Sequence, residues 1–397
     1  MPLLSLARMF YMKRTYEEIN EKIKVGKVQV ITAFEAKSLI KERGIKDFLK
    51  NVDIVTCATY EMNVNALLYL SFGQTDPLIY FSEAHINNVY AYPVGPTDLV
   101  LSCVNSSKEN PEYSGATVLE ELVKGKDVEL KASGKNLEVF TNKEFETWFN
   151  IGDLNVGRLI LSQAINQNSI VATNSGKHDI NSNMGTLIGG LENSTYNSAS
   201  FLNPLINDPF CKVVGVGTKV WVSGAQGYVT GYGSNHNSGQ KRNNFGIPIG
   251  PGITLSVISD INKMNPKWLR SGYLKSYGPV LFVGIGVAIP VLNEEVAEYL
   301  AITDEKINTT IVDFSIPRRT KPTFGQCTYS ELRTSTVMIN NKPTLSASLS
   351  SMAGAIEISG KLKEAVLDRS FYLSEPVATI DLNRDMHKLD ARLGELV

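Results

Sequence analysis

VVGVGTKVWVSGAQGYVTGYGSNHNSGQKRNNFGIPIGP, residues 213 to 251, is the stretch on which the fold reading turns. From Val213 to Gly231 apolar and small residues alternate, and Gly recurs at 215, 217, 224, 227 and 231. Val and Trp at a two-residue period predict strands, with Gly supplying tight turns and close backbone approach. From Gly233 to Gly250 the stretch is polar and loop-like, with His236 inside it. Buried strands feeding a polar Gly/Asn loop can build a pocket floor and its rim. The competing reading is a Gly-rich β-meander with no chemistry.

The first 75 residues read helix, strand, helix, strand, helix. Thr15-Tyr-Glu-Glu18 and Thr32-Ala-Phe-Glu35 are capping boxes that open helices closed by Gly26 and Gly44. Val28 to Ile31 and Val52 to Thr59 read as strands, and Asn63 to Ser71 as a helix. That alternation predicts an α/β unit with some parallel pairing. Further on, Ser114 to Lys124 reads as a helix, Asp127 to Phe140 as a hairpin turning near Ser133 to Asn136, and Leu154 to Ile165 as a helix. Ser169 to Thr173 is a short strand running into the polar stretch Asn174 to Asn183, either a substrate loop or a solvated one. Gly278 to Pro290, GPVLFVGIGVAIP, reads as a buried strand with a Gly-permitted contact. Asn293 to Leu300 and Ala353 to Leu367 read as helices, Ile311 to Phe314 and Thr336 to Ile339 as strands. Leu382 to Val397 reads as a loose terminal helix. The fold class is mixed α/β with Gly-rich strands in a single compact unit: an extension at 1–13, a domain at 14–376 and a tail at 377–397.

The chain has 397 residues with 43% hydrophobic and 20% charged, an ordinary globular composition. The net charge of -1 gives no electrostatic case for nucleic acid or an acidic membrane as partner. No apolar run approaches the roughly 20 residues of a membrane span. MPLLSLARMFYM at the N-terminus lacks a charged n-region and a small-residue cleavage site, so a cytoplasmic protein starting near Met12 is expected. Cys57, Cys103, Cys211 and Cys327 form no CxxC pair, so free thiols are expected rather than zinc, iron–sulfur or disulfide sites. Gly215-x-Gly217 and Gly284-x-Gly286 lack a third Gly, and no P-loop, HExxH or nucleophile elbow occurs.

On the strand–helix reading, Cys57 sits at a strand end before a helix N-terminus, where a thiolate is stabilised. Cys103 repeats the strand-end setting before a polar loop. Either thiol can equally be a small buried hydrophobe. Candidate catalytic residues are therefore Cys57 and Cys103. Candidate substrate contacts are Asn235, His236, Gly250, Pro251, Lys219 and Asn174.

The segments RTYEEINEKIK, SFGQTDP, VLEELVKGKDVEL, LNPLINDPF, GVGTKVWVSGAQGYV, GSNHN, GIPIGP and GIGVAIPVLNEE run in order from about residue 14 to residue 376. In that order they resemble the homocysteine biosynthesis (sulfur-incorporation) family of archaea and anaerobes. The resemblance implies conversion of aspartate semialdehyde to homocysteine, with sulfide sulfur and an outside reductant. It implies no cofactor held by an evident motif; the expected partners are the aldehyde, sulfide and a separate ferredoxin-like electron donor. The family carries a Cys in a Met-Cys-Ser-Ser-Gly context after the second strand; here Glu61-Met-Asn-Val-Asn-Ala puts Val64 at that position. A second family Cys follows the Val-Glu-Leu hairpin, and the matching residue here is Val139. The chain thus resembles a divergent member, and the methanogenesis marker branch of the family also varies in this region. Two readings follow: a sulfurtransferase with Cys57 as carrier, acting on aspartate semialdehyde or on a sulfonated aldehyde destined for a thiol coenzyme, or a catalytically silent paralog that binds a metabolite or partner.

Overall fold

The computed structural model describes residues 14–384, 387 and 389. The expected extension at 1–13, and most of the expected terminal helix, lie outside them. Leu382 to Arg384 are not helical.

Two sheets dominate the mixed α/β architecture. In the larger, fourteen strands are joined among the described residues. Its spine runs Val30–Thr32, Ile54–Asn63, Gly278–Pro290, Lys219–Val222, Ala225–Tyr232, Thr254–Asp260, Val156–Asn166 and Ala66–Ser71, then passes into an outer ribbon ending at Glu144–Phe149. Its one parallel pair among the described residues joins Val30–Thr32 to Ile54–Asn63. The smaller sheet has six strands, with parallel pairs between Val171–Thr173 and Asn308–Asp313 and between Asn193–Tyr196 and Lys342–Ser348.

The Gly-rich stretch forms the hairpin Lys219–Val222 and Ala225–Tyr232, as its alternation predicts. Val222 pairs with Ala225, so Ser223 and Gly224 are the whole turn. Both have positive φ, +47° and +102°, the geometry of a two-residue hairpin turn whose twist matches the strands. Val213 to Thr218 is not strand. Gly278–Pro290 is a strand with the boundaries read from the sequence. Helix Met352–Leu367 crosses it and Ile54–Asn63. A Cβ on Gly284 would sit 2.4 Å from Ile358 Cδ1, and one on Gly354 2.3 Å from Tyr60 Cδ1. The glycines therefore let helix and sheet approach to contact distance.

Three readings need correction. Residues 66–71 and 156–166 are strands, not helices. Both carry apolar runs that fit either period. Their burial alternates, with Leu68, Leu70, Leu159 and Leu161 enclosed and Leu67, Tyr69 and Ile160 partly exposed. The two segments pair with each other from Ala66↔Leu161 to Ser71↔Val156, and that ladder decides the period. The strand holding Cys57 therefore runs on to Asn63 and turns into another strand; no helix follows it. Gly44 ends the helix opened at Thr32, as read: it is non-helical at φ +79°, and a second helix runs on from this kink to Asn51. The hairpin partner of Val128–Gly134 is Glu144–Phe149, beyond the residues expected.

Candidate functional site

The turn between Ile54–Asn63 and Ala66–Ser71 abuts the end of Val156–Asn166. Asn63 Nδ2 donates to Gln163 O at 2.6 Å, Ser162 N–H to Asn65 O at 3.0 Å, and Asn65 Nδ2 to Gln163 Oε1 at 2.8 Å. Asn63 Oδ1 accepts from Asn65 N–H at 2.9 Å, an Asx turn that leaves Val64 at the apex. The large sheet thus curls on itself here, and the smaller sheet lies across the curl. Between them is a cavity of about 650 Å³.

Seventeen residues line it, of which eight are Asn and two are Gln. None of the seventeen is Asp, Glu, Lys, Arg, His or Cys; the others are Met62, Val64, Ser169, Ile170, Met184, Pro251 and Tyr277. Some of these carboxamides are committed to the frame. Asn197 exchanges two hydrogen bonds with the backbone of Met62, at 3.2 and 3.0 Å, as a strand neighbour would. Asn168 donates to Pro248 O and Asn308 O and accepts from Tyr329 OH and Ser169 N–H. Others are uncommitted. Asn183 and Asn235 make no side-chain hydrogen bond to the described residues, and Asn166 Oδ1 is buried without a partner among them.. Buried polar groups are normally satisfied, so these uncommitted amide groups are prepared to donate to and accept from a small polar molecule.

Of the sequence candidates, Asn235 and Pro251 line the cavity. Gly250 stands beside it, its Cβ direction 3.3 Å from the cavity residue Gln240. His236 is enclosed and turned the other way. Its Nδ1 accepts from Thr254 N–H at 3.3 Å, and its Nε2 lies 3.0 Å from Asp381 O. Asn235 is a turn residue at φ +62°, and from this turn Asn235 and Asn237 reach the cavity while His236 does not. Asn174 is buried and bonds His178 O, Leu187 O and Gly176 N–H. It shapes, from behind, the loop that brings Asn183 and Met184 to the cavity. Lys219 lies on the hairpin with its ammonium 5.7 Å from the Phe371 ring, off the cavity wall.

The thiols are elsewhere. Cys57 is mid-strand opposite Val287, with no exposure, and burial pushes its thiol up to about 12 against the opposing field of Lys37. The shared site of Cys57 and His236 is therefore not formed. Cys103 follows Asp98–Ser102, fully buried, and burial also pushes it to about 12. Cys211 and Cys327 are buried and raised as well. Among the described residues no group of three His, Cys, Asp or Glu could hold a metal ion, and no helix is long and apolar enough to cross a membrane. Missed from the sequence were the amides of Met62–Asn65, Gln163–Asn168, Asn183 and Asn197. The signal was their density at strand ends, in EMNVN and QAINQN.

One buried acid stands behind this wall. Glu61 is 4% exposed; its Oε1 accepts from Ala199 N–H and Asn203 Nδ2, while Oε2 has no partner among the described residues. Burial raises its carboxyl from 4.5 to about 8, against those two hydrogen bonds. The native state then keeps this proton after the unfolded chain has lost it. Stability falls as pH rises from about 4.5 to about 8 and levels off above. Lys37, lowered to about 7, acts in the opposite sense between there and its ordinary 10.5. Glu61→Gln removes the first effect alone. It is expected to match the parent near about pH 4 and exceed it by a few kcal/mol near about pH 8. Urea midpoints at the two pH values check this; an unchanged difference would discard the buried-acid reading.

The family model described as "Homocysteine biosynthesis enzyme, sulfur-incorporation" matches residues 28–373. An L-aspartate semialdehyde sulfurtransferase of Methanosarcina acetivorans is 34% identical over 367 residues, 92% of this chain and 71% of its own length. One of Methanocaldococcus jannaschii is 36% identical over 386 residues, 92% of this chain and 73% of its own. A protein of Methanothermobacter thermautotrophicus is 27% identical over 320 residues, 77% of this chain and 69% of its own. No solved structure matches.

Proposed function

Because the chain belongs to the homocysteine biosynthesis, sulfur-incorporation family, we propose that it joins sulfide sulfur to a small aldehyde, aspartate semialdehyde by default, in the amide-lined cavity. The observation that carries this reading is the place of Val64. The resemblance puts a family cysteine at that position, and Val64 lies on the cavity wall. The lining supports a net-neutral zwitterion, since carboxamides both donate to a carboxylate and accept from an ammonium. A sulfonated aldehyde finds no cation among the lining residues, so its net charge is unanswered.

With Val64 in place of a thiol, the sulfur reaches the carbonyl as free sulfide. Hydrosulfide attacks the aldehyde carbon, the C–S bond forms, and the carbonyl pair becomes an alkoxide that takes a proton. Amide N–H groups of Gln163, Asn235 and Gln240 are the available donors to that oxygen. Loss of water leaves a thioaldehyde, and two electrons with two protons from an external reductant yield the thiol. In this reading Cys57 and Cys103 are core residues.

Purified protein with aspartate semialdehyde, sulfide and titanium(III) citrate under anaerobic conditions is expected to form homocysteine above a protein-free control. Asn235→Trp, which fills the cavity, should abolish the excess. Equal rates with and without protein sink the enzymatic reading. The silent-paralog reading is favoured by one observation, the absence of a thiol on the cavity wall. Saturable aldehyde binding by calorimetry without homocysteine would select it.

A further inference from the structure

The helix Ala33–Asn51 carries Lys37 and Lys41 one turn apart on one face. Like charges at that spacing repel. Arg43 follows on the same helical segment, Lys46 stands just beyond the Gly44 kink, and Lys306 enters from the segment after Glu294–Tyr299; all three line the same space. These five cations line a cleft of about 960 Å³ in which Glu294 and Glu305 are the carboxylates. With Lys46 left aside, the excess is two positive charges, four less two, in a chain whose net charge is -1. Lys41, Arg43 and Lys306 have no carboxylate within ion-pair distance among the described residues. At the floor, the Lys37 stem is partly exposed while its amine is enclosed. That amine donates to Asn207 Oδ1 and Leu300 O, both at 2.7 Å, and to no carboxylate. An ammonium has three N–H groups, so one remains.

Buried cations are normally paired, and unpaired surface cations normally point apart into water. Lys37, Lys41, Arg43 and Lys306 converging on one concavity is the arrangement that a multiply charged anion compensates. We infer that this cleft binds a small polyanion, phosphorylated or polycarboxylic, at a site separate from the amide cavity. The groups acting on Lys37 are Cys57, Asp304 and Lys306. Desolvation holds its pKa near 7, so an anion that supplies the missing counter-charge draws a proton onto the amine. Binding therefore takes up protons at neutral pH.

Calorimetry with pyrophosphate and with citrate, in two buffers of different ionisation enthalpy and corrected for the probes' own ionisation, tests this. Either probe is expected to bind saturably with proton uptake. The exposed variant Arg43→Glu should weaken binding about tenfold or more, and Lys37→Met should remove the uptake. Tighter pyrophosphate marks a phosphorylated ligand and tighter citrate a polycarboxylate. No saturable binding up to about 10 mM, binding unaltered by Arg43→Glu, no uptake, or uptake unaltered by Lys37→Met overturns the inference. None of these outcomes depends on sulfur transfer.

Discussion

Native wild-type protein treated with iodoacetamide near about pH 8 is expected to leave all four cysteines unmodified on a timescale that labels a free thiol completely. Two effects combine. Cys57 and Cys103 have no exposure, and Cys211 and Cys327 have 6% and 4%. Burial also pushes Cys57, Cys103 and Cys327 up to about 12. Against an ordinary thiol, the thiolate fraction alone drops about a thousandfold. Modification should then follow global unfolding, and urea should release four thiols together. Val64→Cys is the contrast. It places a half-buried thiol on the cavity wall, without a carboxylate among the lining residues to oppose ionisation. That variant should gain one fast-labelling site, identified by peptide mapping. Rapid labelling of Cys57 in the native parent would show that its strand opens and would restore it as a sulfur carrier. A Val64→Cys protein that labels no faster than the parent would remove Val64 from the cavity wall.

Asn168→Leu is expected to cost about 4 kcal/mol or more of stability and, with it, the cavity. Asn168 is 2% exposed and fully used. Its Nδ2 donates to Pro248 O at 2.6 Å and Asn308 O at 3.0 Å; its Oδ1 accepts from Tyr329 OH at 2.7 Å and Ser169 N–H at 2.8 Å. Pro248 belongs to the GIPIGP segment, Asn308 to the smaller sheet and Tyr329 to the short helix Tyr329–Leu332, so one side chain ties three parts of the chain together. Leucine keeps the volume and removes all four bonds. Each buried group left unpaired costs about 1–3 kcal/mol, and Tyr329, fully enclosed, has no route to water. Urea denaturation gives the difference directly. A loss under about 1 kcal/mol would mean that water replaces the amide and that the frame does not depend on it.

Much of the fold was legible. Capping boxes at Thr15 and Thr32 formed as read, because a Thr and a Glu three residues on satisfy each other locally. The strands on either side of Ser223-Gly224 were legible from their two-residue alternation, though not the place of the turn between them. The strand Gly278–Pro290 was legible from its apolar length and Gly content. The candidate site was legible in part. Asn235 and Pro251 came from a polar loop beside Gly-rich strands, whereas Gln163, Asn166 and Asn168 were assigned to a helix end and a connector.

What the chain determined by itself was whatever rests on neighbours in sequence: caps, the alternation of the hairpin strands, the long buried strand, and family membership through ordered motifs. What only the tertiary structure decided rests on distant pairing. Ala66–Ser71 and Val156–Asn166 each suit two periods, and they are strands because each supplies the other's hydrogen bonds across roughly ninety residues. That choice moved Cys57 from a strand end into the core and put Val64 at the apex of a turn. It also gathered amides from five separate segments around one cavity. A carboxamide has the same chemistry on a solvated loop and on a cavity wall; the curl of the larger sheet and the seating of the smaller one determine which it becomes.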